Sequence, residues 1–407
     1  MSLSLPTPSS SAPQRCGPYE LIVRIGQGGM AAVYLARRAD AGSDDPQLYA
    51  LKILHADLSD QREYVDMLMD EAKIAKGLRH PNVVETVEIG RDGDLYYLVM
   101  EYVEGTALDR LMRRSPHHRP PELIVPLAID ALQGLHAAHR RTDELGRPLE
   151  LVHRDVTPGN LMVGLDGVGR ITDFGVAKAR ARITKTNPGI VKGKAGYIAP
   201  EVILGRPVDG RADVFSMGVL LWNALTGETL FDKEDLASSL TSLLRSDIPP
   251  PSTVGLMPSA LFDAPILSAL HRDPEFRHES ADEMALALAD ALLLYPTPGG
   301  RDAIGAWVYR SFGETLDRRQ ELARQERASS PWDIEHAEAL STSAMVRKDP
   351  TGKVLSAIPG ADEVPDEAPA EAPTRSRRWW WVVAVLVGLL ALIGAGLLGA
   401  YIATSTR

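Results

Sequence analysis

The early part of the chain carries the alternation of apolar and polar positions that is typical of β-strands. Short apolar runs are separated by turns that contain Gly and Asp. The runs are 21–25, 32–36, 49–54 and 95–100. One stretch, 63–78, interrupts them with apolar residues three and four positions apart, which predicts a helix. The pattern predicts a small β-rich lobe over residues 19–103.

Helical periodicity dominates the part of the chain that follows, residues 104–294. Apolar residues recur at helical spacing in 123–139, 212–225 and 281–294. A small strand-rich lobe followed by a larger helical lobe predicts a bilobal α+β fold with a crevice between the lobes.

The segments outside these two lobes have other compositions. Residues 1–18 are rich in Ser and Pro and have no long apolar run, which predicts a disordered leader and excludes a signal peptide. Residues 302–328 have the pattern of an amphipathic, charged helix and form the core of a helical extension, 295–345. Residues 346–378 include a stretch dominated by Ala, Pro, Asp and Glu, which predicts a disordered linker.

An uncharged run, 379–403, lies close to the end of the chain. It would span about 37 Å as a helix, enough to cross a hydrocarbon core of about 30 Å. Three Arg residues and three Trp residues stand at its start, and a buried core helix is a poor alternative because the run is apolar on every face. We expect a single transmembrane helix in the cytoplasmic (inner) membrane, with the upstream chain in the cytoplasm and residues 404–407 outside it.

Composition narrows the class of protein. The formal net charge of −10 argues against a nucleic-acid-binding protein, which usually carries a basic face. Cys16 is the single cysteine, so the chain can form neither an internal disulfide nor a thiolate metal cluster.

A Gly-rich stretch and a lysine point to phosphate binding. Gly26, Gly28 and Gly29 lie between two strand patterns, where a backbone without side chains can approach a phosphate. The alternative is a plain hairpin turn; a dinucleotide-binding fold would require a helix next. Lys52 lies inside an apolar strand run and requires a counter-charge, which Glu71 could supply unless Glu71 is only a solvated helix residue.

Three short motifs then follow in order. They are His-Arg-Asp-Val-Thr-Pro-Gly-Asn at 153–160, Asp-Phe-Gly at 173–175 and Ala-Pro-Glu at 199–201. With these motifs, residues 19–294 resemble the eukaryotic-like (Hanks-type) Ser/Thr protein kinases, especially the bacterial membrane-bound ones. The resemblance implies a protein kinase domain with ATP and Mg²⁺ as its cofactors.

The resemblance also implies roles for individual residues. Asp155 would accept a hydrogen bond from the substrate hydroxyl, and Asn160 and Asp173 would hold Mg²⁺. Lys52, fixed by Glu71, would bind the α- and β-phosphates beneath the glycines. The adenine pocket would consist of Ile25, Val33, Ala50, Met100, Met162 and the hinge residues Glu101 and Val103, with Asp109 either reaching the ribose or facing solvent.

Three further positions favour a protein substrate over a small molecule. Glu201 and Arg277 match the pair that braces the peptide-binding segment in the family, and Asp213 matches the acid that anchors the catalytic loop. Residues 156–160 resemble the Ser/Thr loop more than the tyrosine-kinase loop. The expected partners are therefore proteins with Ser or Thr acceptors, the lipid bilayer through 379–403, and a second kinase copy.

The chain departs from the family at one catalytic position. Thr157 stands where Ser/Thr kinases usually carry lysine, and Lys194 stands where they carry threonine. We hypothesise that the Lys194 ammonium supplies the missing charge, against the alternative of an exposed lysine and a slower enzyme.

The segment that contains Lys194 is strongly basic and has no acid over residues 178–194. Phosphorylation of Thr184 or Thr186 would add about −1.5 to −2 charge each and could order it, although acidic substrates would also explain the charge. The sequence therefore predicts an autophosphorylating Ser/Thr protein kinase. The alternatives are a catalytically weak pseudokinase scaffold and, less favoured, a small-molecule phosphotransferase.

Overall fold

The smaller lobe is built on a six-stranded antiparallel sheet. Its strands are β1 (Arg15–Cys16), β2 (Tyr19–Gln27), β3 (Ala31–Arg38), β4 (Leu48–Leu54), β5 (Thr86–Asp92) and β6 (Leu95–Glu101). Their order in the sheet is β1-β2-β3-β4-β6-β5, so sequential strands are neighbours except at the edge where β6 lies between β4 and β5. The apolar runs predicted as strands all lie in this sheet.

The computed structural model describes the part of the chain that carries both lobes. The described residues are 15–40, 47–55, 65, 68–69, 77–174, 195–231, 235–296 and 299–324. They belong to one compact unit, Met1–Ala344. Residues 1–14, the linker 346–378, the predicted membrane helix 379–403 and the tail 404–407 lie outside them. Within the described ranges, no helix has the length and apolar character that crossing a bilayer requires.

The start of the sheet corrects the predicted leader. Arg15 and Cys16, assigned to the leader by composition, form β1 and pair with the first residues of β2. Gly17 makes the tight turn between them at φ +55° and donates its N–H to Asp92 at 2.7 Å. Cys16 is fully buried. Two residues are too few to show an alternating pattern, so this strand could not be recognised in the sequence.

The larger lobe combines a small sheet with helices. Strands β7 (Gly105–Ala107), β8 (Leu161–Gly164) and β9 (Gly169–Ile171) form an antiparallel sheet in that order. The helices are α1 (Leu108–Arg114), α2 (Pro121–His139), α3 (Pro200–Ile203), α4 (Arg211–Thr226), α5 (Leu236–Arg245), α6 (Asp263–Ala269), α7 (Ala281–Leu293) and α8 (Arg301–Arg324). Helices α2 and α4 supply more buried residues to the core of this lobe than any other helix, and nearly every residue of α4 is buried.

The helix predicted over 302–328 is observed as α8, and it does not project away from the domain. Its last turn places Leu322 and Ala323 in an apolar cluster with Ile22, Val23 and Leu35 of the smaller lobe. Amphipathic periodicity predicted the helix but not the surface that its apolar face would cover. Of the helix predicted at 63–78, the structure describes Val65, Leu68 and Met69, which are helical, and Gly77 and Leu78, which are not.

Candidate active site

A buried carboxylate shapes the loop that joins α2 to β8. Asp213, at the start of α4, accepts the backbone N–H groups of His153 at 2.7 Å and Arg154 at 2.8 Å. Its carboxylate also accepts a hydrogen bond from His139 Nε2 at 2.8 Å. Burial opposes ionisation of Asp213 more than any other single effect, yet these donors and the nearby imidazoles together lower its pKa. Arg154 lies at φ +63°, a strained conformation that the two hydrogen bonds to Asp213 stabilise.

Asp155 and Asn160 face each other across this loop. Asn160 Nδ2 donates to the backbone oxygen of Asp155 at 2.8 Å and to its carboxylate Oδ2 at 2.9 Å. Both residues are buried, and a 3-10 turn, Pro158–Asn160, brings them together. Because the Asn160 amide uses its N–H groups on Asp155, its oxygen points away from Asp155, as a cation ligand requires.

The smaller lobe contributes a lysine to the same crevice. Lys52 on β4 is 5% exposed, and its Nζ lies 2.9 Å from Asp173 Oδ1. Asp173 adopts φ +60°, while the next side chain, Phe174, is buried against the His153 ring at 4.6 Å. This backbone turn directs Asp173 to the crevice and Phe174 to the core. The predicted partner of Lys52, Glu71, lies outside the described residues.

His153 connects these parts of the site. Its Nε2 lies 3.0 Å from the backbone oxygen of Thr172, and Asp155 N–H donates to its Nδ1 at 3.2 Å. Burial is the largest effect on this imidazole and lowers its pKa, so His153 is held neutral. His153 belongs to the motif at 153–160, but no role was predicted for it or for His139. In the sequence, a histidine close to apolar residues is the only signal for either of them, and it is too common to be specific.

The predicted adenine-pocket residues converge in one apolar cluster. Ala50, Met100 and Val103 are buried in it, and the partly buried Ile25, Val33 and Met162 pack against it. Ala50 and Met100 are paired across β4 and β6. The Glu101 N–H donates to the backbone oxygen of Glu85 at 2.9 Å. A ligand at the hinge could therefore bond only to the backbone carbonyl of Glu101, and not to its N–H. Asp109 lies next to the catalytic loop but pairs with Arg113 at 2.9 Å.

The Gly-rich stretch forms the turn between β2 and β3. Gly26 pairs with Val33, one position before the last pair of the two strands, and Gly28 and Gly29 are exposed. The turn is closed by Gly28 N–H to the Ala31 oxygen at 2.8 Å and by His55 Nε2 to the Gly28 oxygen at 3.0 Å. A strand and not a helix follows, which excludes the dinucleotide-binding alternative.

The two residues expected to brace a peptide platform form a buried ion pair. Arg277 Nη1 and Nη2 donate to the two carboxylate oxygens of Glu201 at 2.7 and 2.8 Å. Neither side chain is more than 3% exposed. The guanidinium also lies 4.9 Å from the centre of the Phe215 ring. The pair fixes α3, and with it residues 195–199 just before α3, to the segment between α6 and α7 that carries Arg277.

Two buried polar atoms in the catalytic loop have no hydrogen-bond partner among the described residues. They are Thr157 Oγ1 and Arg154 Nε. The residues expected to act with them, Lys194, Thr184 and Thr186, lie outside the described residues.

The donor set fits a nucleotide with Mg²⁺. Within the described ranges, no three His, Cys, Asp or Glu side chains form a metal cluster. Mg²⁺ bound to a nucleotide does not require one, because it is held by one or two protein oxygens together with phosphates and waters. Asn160 and Asp173 can provide those oxygens, Lys52 the cation for the phosphates, and the apolar cluster a surface for a flat base.

Comparison with known proteins agrees with this geometry. The family model described as the protein kinase domain matches residues 19–285. The tyrosine-protein kinase MasK of Myxococcus xanthus is 34% identical over 415 aligned residues, which cover 95% of this chain and 64% of MasK. The serine/threonine-protein kinase PknB of Mycobacterium tuberculosis is 36% identical over 272 residues, which cover 65% of this chain and 41% of PknB. The chain therefore spans less than two thirds of the length of either relative.

A solved structure shares the fold. The kinase domain of Mycobacterium tuberculosis PknI has a TM-score of 0.52 and 24% identity, covering 72% of this chain and 100% of that domain. The bilobal architecture predicted from the sequence is thereby confirmed. The family match over residues 19–285 and the site geometry show that this chain belongs to the protein kinase domain family.

Proposed function

We propose that this chain is a Ser/Thr protein kinase that transfers the γ-phosphoryl group of ATP to Ser or Thr hydroxyls of proteins. The observation that carries the proposal is the arrangement at one crevice of Asp155, oriented by Asn160, and the Lys52–Asp173 pair at 2.9 Å. Phosphoryl transfer requires mainly alignment of the reacting oxygens and neutralisation of phosphate charge. This site offers a group for each of these tasks.

Each residue of the site has a separate role in phosphoryl transfer. Mg²⁺, when bound, neutralises phosphate charge, and Asn160 and Asp173 are the residues that would hold it. Lys52 binds phosphate oxygens, and the exposed turn that contains Gly28 and Gly29 covers them. Asp155 accepts the hydrogen bond of the substrate hydroxyl and orients its oxygen for attack.

Asp213 keeps the catalytic loop in place, because its carboxylate holds the backbone N–H groups next to Asp155. It does not touch the reacting atoms. Asp213→Asn should therefore lower the rate of transfer through a displaced Asp155, with little change in the affinity for ATP. An ATP affinity that falls with the rate in equal measure would contradict this assignment.

The acceptor residue is tested by assay of a generic protein substrate with labelled ATP and Mg²⁺, followed by phosphoamino-acid analysis. We expect phosphoserine and phosphothreonine, and transfer by Asp155→Asn that is at least about a hundredfold slower. Tyrosine is the second candidate acceptor, because the MasK similarity extends over 95% of the chain. Phosphotyrosine as the main product would refute the Ser/Thr proposal, and ATP binding without transfer would favour the pseudokinase scaffold.

Autophosphorylation of Thr184 or Thr186, in a dimer of kinase copies, is the proposed activation step. Its support is the basic character of 178–194 and the buried Arg154 Nε, which has no partner among the described residues. A phosphate would give this guanidinium an acceptor. Mass spectrometry of active protein should find phosphate on at least one of the two threonines; active protein with both unmodified would refute the step.

Lys194 is proposed to replace the lysine that the family carries at the position of Thr157. The buried Thr157 hydroxyl brings no charge to the γ-phosphoryl group, so another cation is needed there. Lys194→Ala should reduce kcat by at least tenfold, whereas Lys192→Ala, which removes a nearby charge, should leave kcat within twofold. Equal effects of the two substitutions would refute the exchange.

The chain is also proposed to be held in the cytoplasmic membrane by residues 379–403, with the kinase domain in the cytoplasm. The support is the uncharged run and the Arg residues before it. After cell fractionation and an alkaline wash, the full chain should stay in the membrane pellet and a chain ending at residue 378 should be released. Release of the full chain by the wash would refute the anchor.

A further inference from the structure

Helix α8 begins on the larger lobe, where several polar contacts fix it. The guanidinium of Arg301 bonds both carboxylate oxygens of the buried Asp130, with Nη2 at 2.8 Å from Oδ1, and donates to the Gly167 oxygen at 3.1 Å. Six residues further along the helix, Trp307 Nε1 donates to Ser115 Oγ at 3.1 Å. A charged pair that is half desolvated and an indole anchor together hold this end of the helix.

The other end of α8 is fixed to the smaller lobe. Leu322 and Ala323 are 5% exposed and pack against the outer residues of β2 and β3. Arg37 Nη1 of β3 donates to the Ala323 backbone oxygen at 2.9 Å. A helix ends in carbonyl groups without internal partners and with partial negative charge, so the Arg37 guanidinium stabilises this end. The helix, about 36 Å long, therefore contacts both lobes.

Between its ends, α8 contacts the connection between the two lobes. Arg319 is 7% exposed and lies beside Tyr102, whose side chain packs against the apolar cluster that contains Leu322. Burial, the larger effect, raises the pKa of the Tyr102 hydroxyl, and Arg319 opposes the rise. The adjacent Gln320 donates to the Glu104 carboxylate. Tyr102 and Glu104 flank Val103, one of the residues expected to bind adenine.

We propose that α8 is a brace across the hinge, in which Arg319 and Gln320 act as positioning residues for the nucleotide site. They hold Tyr102 and Glu104 from the outer side, so that the backbone at Val103 keeps one position relative to both lobes. A hinge that is already ordered loses less conformational entropy when a nucleotide binds. The inference rests on the proposed function, because it assumes that ATP binds at the hinge.

Two neighbouring arginines give a matched test. Arg319 is buried against the hinge, whereas the Arg318 side chain is 51% exposed and lies 3.9 Å from Glu321 on the same helix. Arg319→Ala should raise the KM and the Kd for ATP with Mg²⁺ about fivefold and leave kcat within twofold, because the adenine contact is the same in the ground and transition states. Arg318→Ala should match the wild type in all three constants.

A purely structural role would give a different pattern. Loss of stability alone lowers the fraction of folded enzyme, so the apparent kcat falls and KM stays constant. Ser280→Ala, which removes the cap that Ser280 Oγ provides for α7 far from the hinge, is the control for that pattern. Tyr102→Phe keeps the packed ring and removes only the hydroxyl, and it should show the KM shift in part even if Arg319→Ala folds poorly.

The outcomes separate the two proposals. A KM within twofold of the wild type in both Arg319→Ala and Tyr102→Phe, in protein that binds ATP, would overturn the brace and leave the kinase function intact. An apparent kcat that falls at constant KM in these variants would overturn it as well. Wild-type protein that does not bind ATP would refute the proposed function, and the brace with it.

Discussion

Removal of the Arg277 guanidinium should destabilise the larger lobe more than any surface ion-pair change. All five N–H donors of this side chain have acceptors. They are both carboxylate oxygens of Glu201 and the backbone oxygens of Arg211, His271 and Arg272. Arg277→Ala would therefore leave a buried carboxylate without its counter-charge and would remove one donor from each of three carbonyl groups.

The size of the effect follows from burial. Removing one partner of a buried ion pair costs about 3–5 kcal/mol, because the remaining charge is uncompensated in a low dielectric. The whole domain is expected to have a free energy of unfolding of about 5–15 kcal/mol, so the loss would be a large part of it. With an m-value of about 3 kcal/mol/M, the urea midpoint should fall by roughly 1–1.7 M.

Equilibrium unfolding in urea, followed by circular dichroism, is the assay. Arg147→Ala is the matched control: the Arg147–Asp143 pair is also 2.7 Å long, but the arginine side chain is 72% exposed, and its loss should barely move the midpoint. The double variant Glu201→Leu with Arg277→Met should be more stable than Arg277→Ala, because no charge is left buried. A double variant as unstable as the single one, or a single variant close to the wild type, would refute the reasoning.

Three further predictions test other parts of the fold. Because burial lowers the pKa of His153, unfolded chains take up a proton below about pH 6.5 that the folded state does not. Acidification from pH 7 to 5 should therefore lower the free energy of unfolding of the wild type by up to about 1.4 kcal/mol per pH unit more than that of His153→Gln. Parallel slopes of stability against pH in the two proteins would contradict this. Burial, aided by Asp92, raises the pKa of Cys16 to about 12, so a thiol reagent should react with the protein only after unfolding; rapid labelling of folded protein would contradict the burial. Gly167 lies at φ +71°, and a Cβ on it would collide with the backbone oxygen of Arg301 at 2.1 Å, whereas Gly205 lies at φ +64° in open space. Gly167→Ala should therefore lower Tm clearly more than Gly205→Ala. Equal losses would show that the start of α8 does not pack closely on this turn.

The sequence predicts those features that depend on local pattern. Period-two alternation located the strands of the smaller lobe, and the order of short motifs located the residues of the catalytic loop. The adenine-pocket residues in the apolar cluster around Ala50 and Met100 were predicted through the resemblance to the family. In each case the information is contained in a few neighbouring residues.

Features that depend on distant pairing were not predictable from pattern alone. Asp213 and His153 are 60 residues apart, and Lys52 and Asp173 are 121 apart, so no local periodicity links them. The surface covered by α8 was missed for the same reason. Its apolar positions showed that one face would be buried, but the cluster with Leu35 forms only once both lobes are in place.

The most direct test of the account compares phosphoryl transfer and ATP binding in one pair of proteins, the wild type and Asp155→Asn. The substitution keeps the shape of the side chain and removes the carboxylate that would orient the acceptor hydroxyl. We predict that transfer of labelled γ-phosphate to a protein substrate falls about 10²–10⁴-fold while the Kd for ATP with Mg²⁺ changes little. Transfer within tenfold of the wild type, or a wild-type protein that does not bind ATP, would contradict the account.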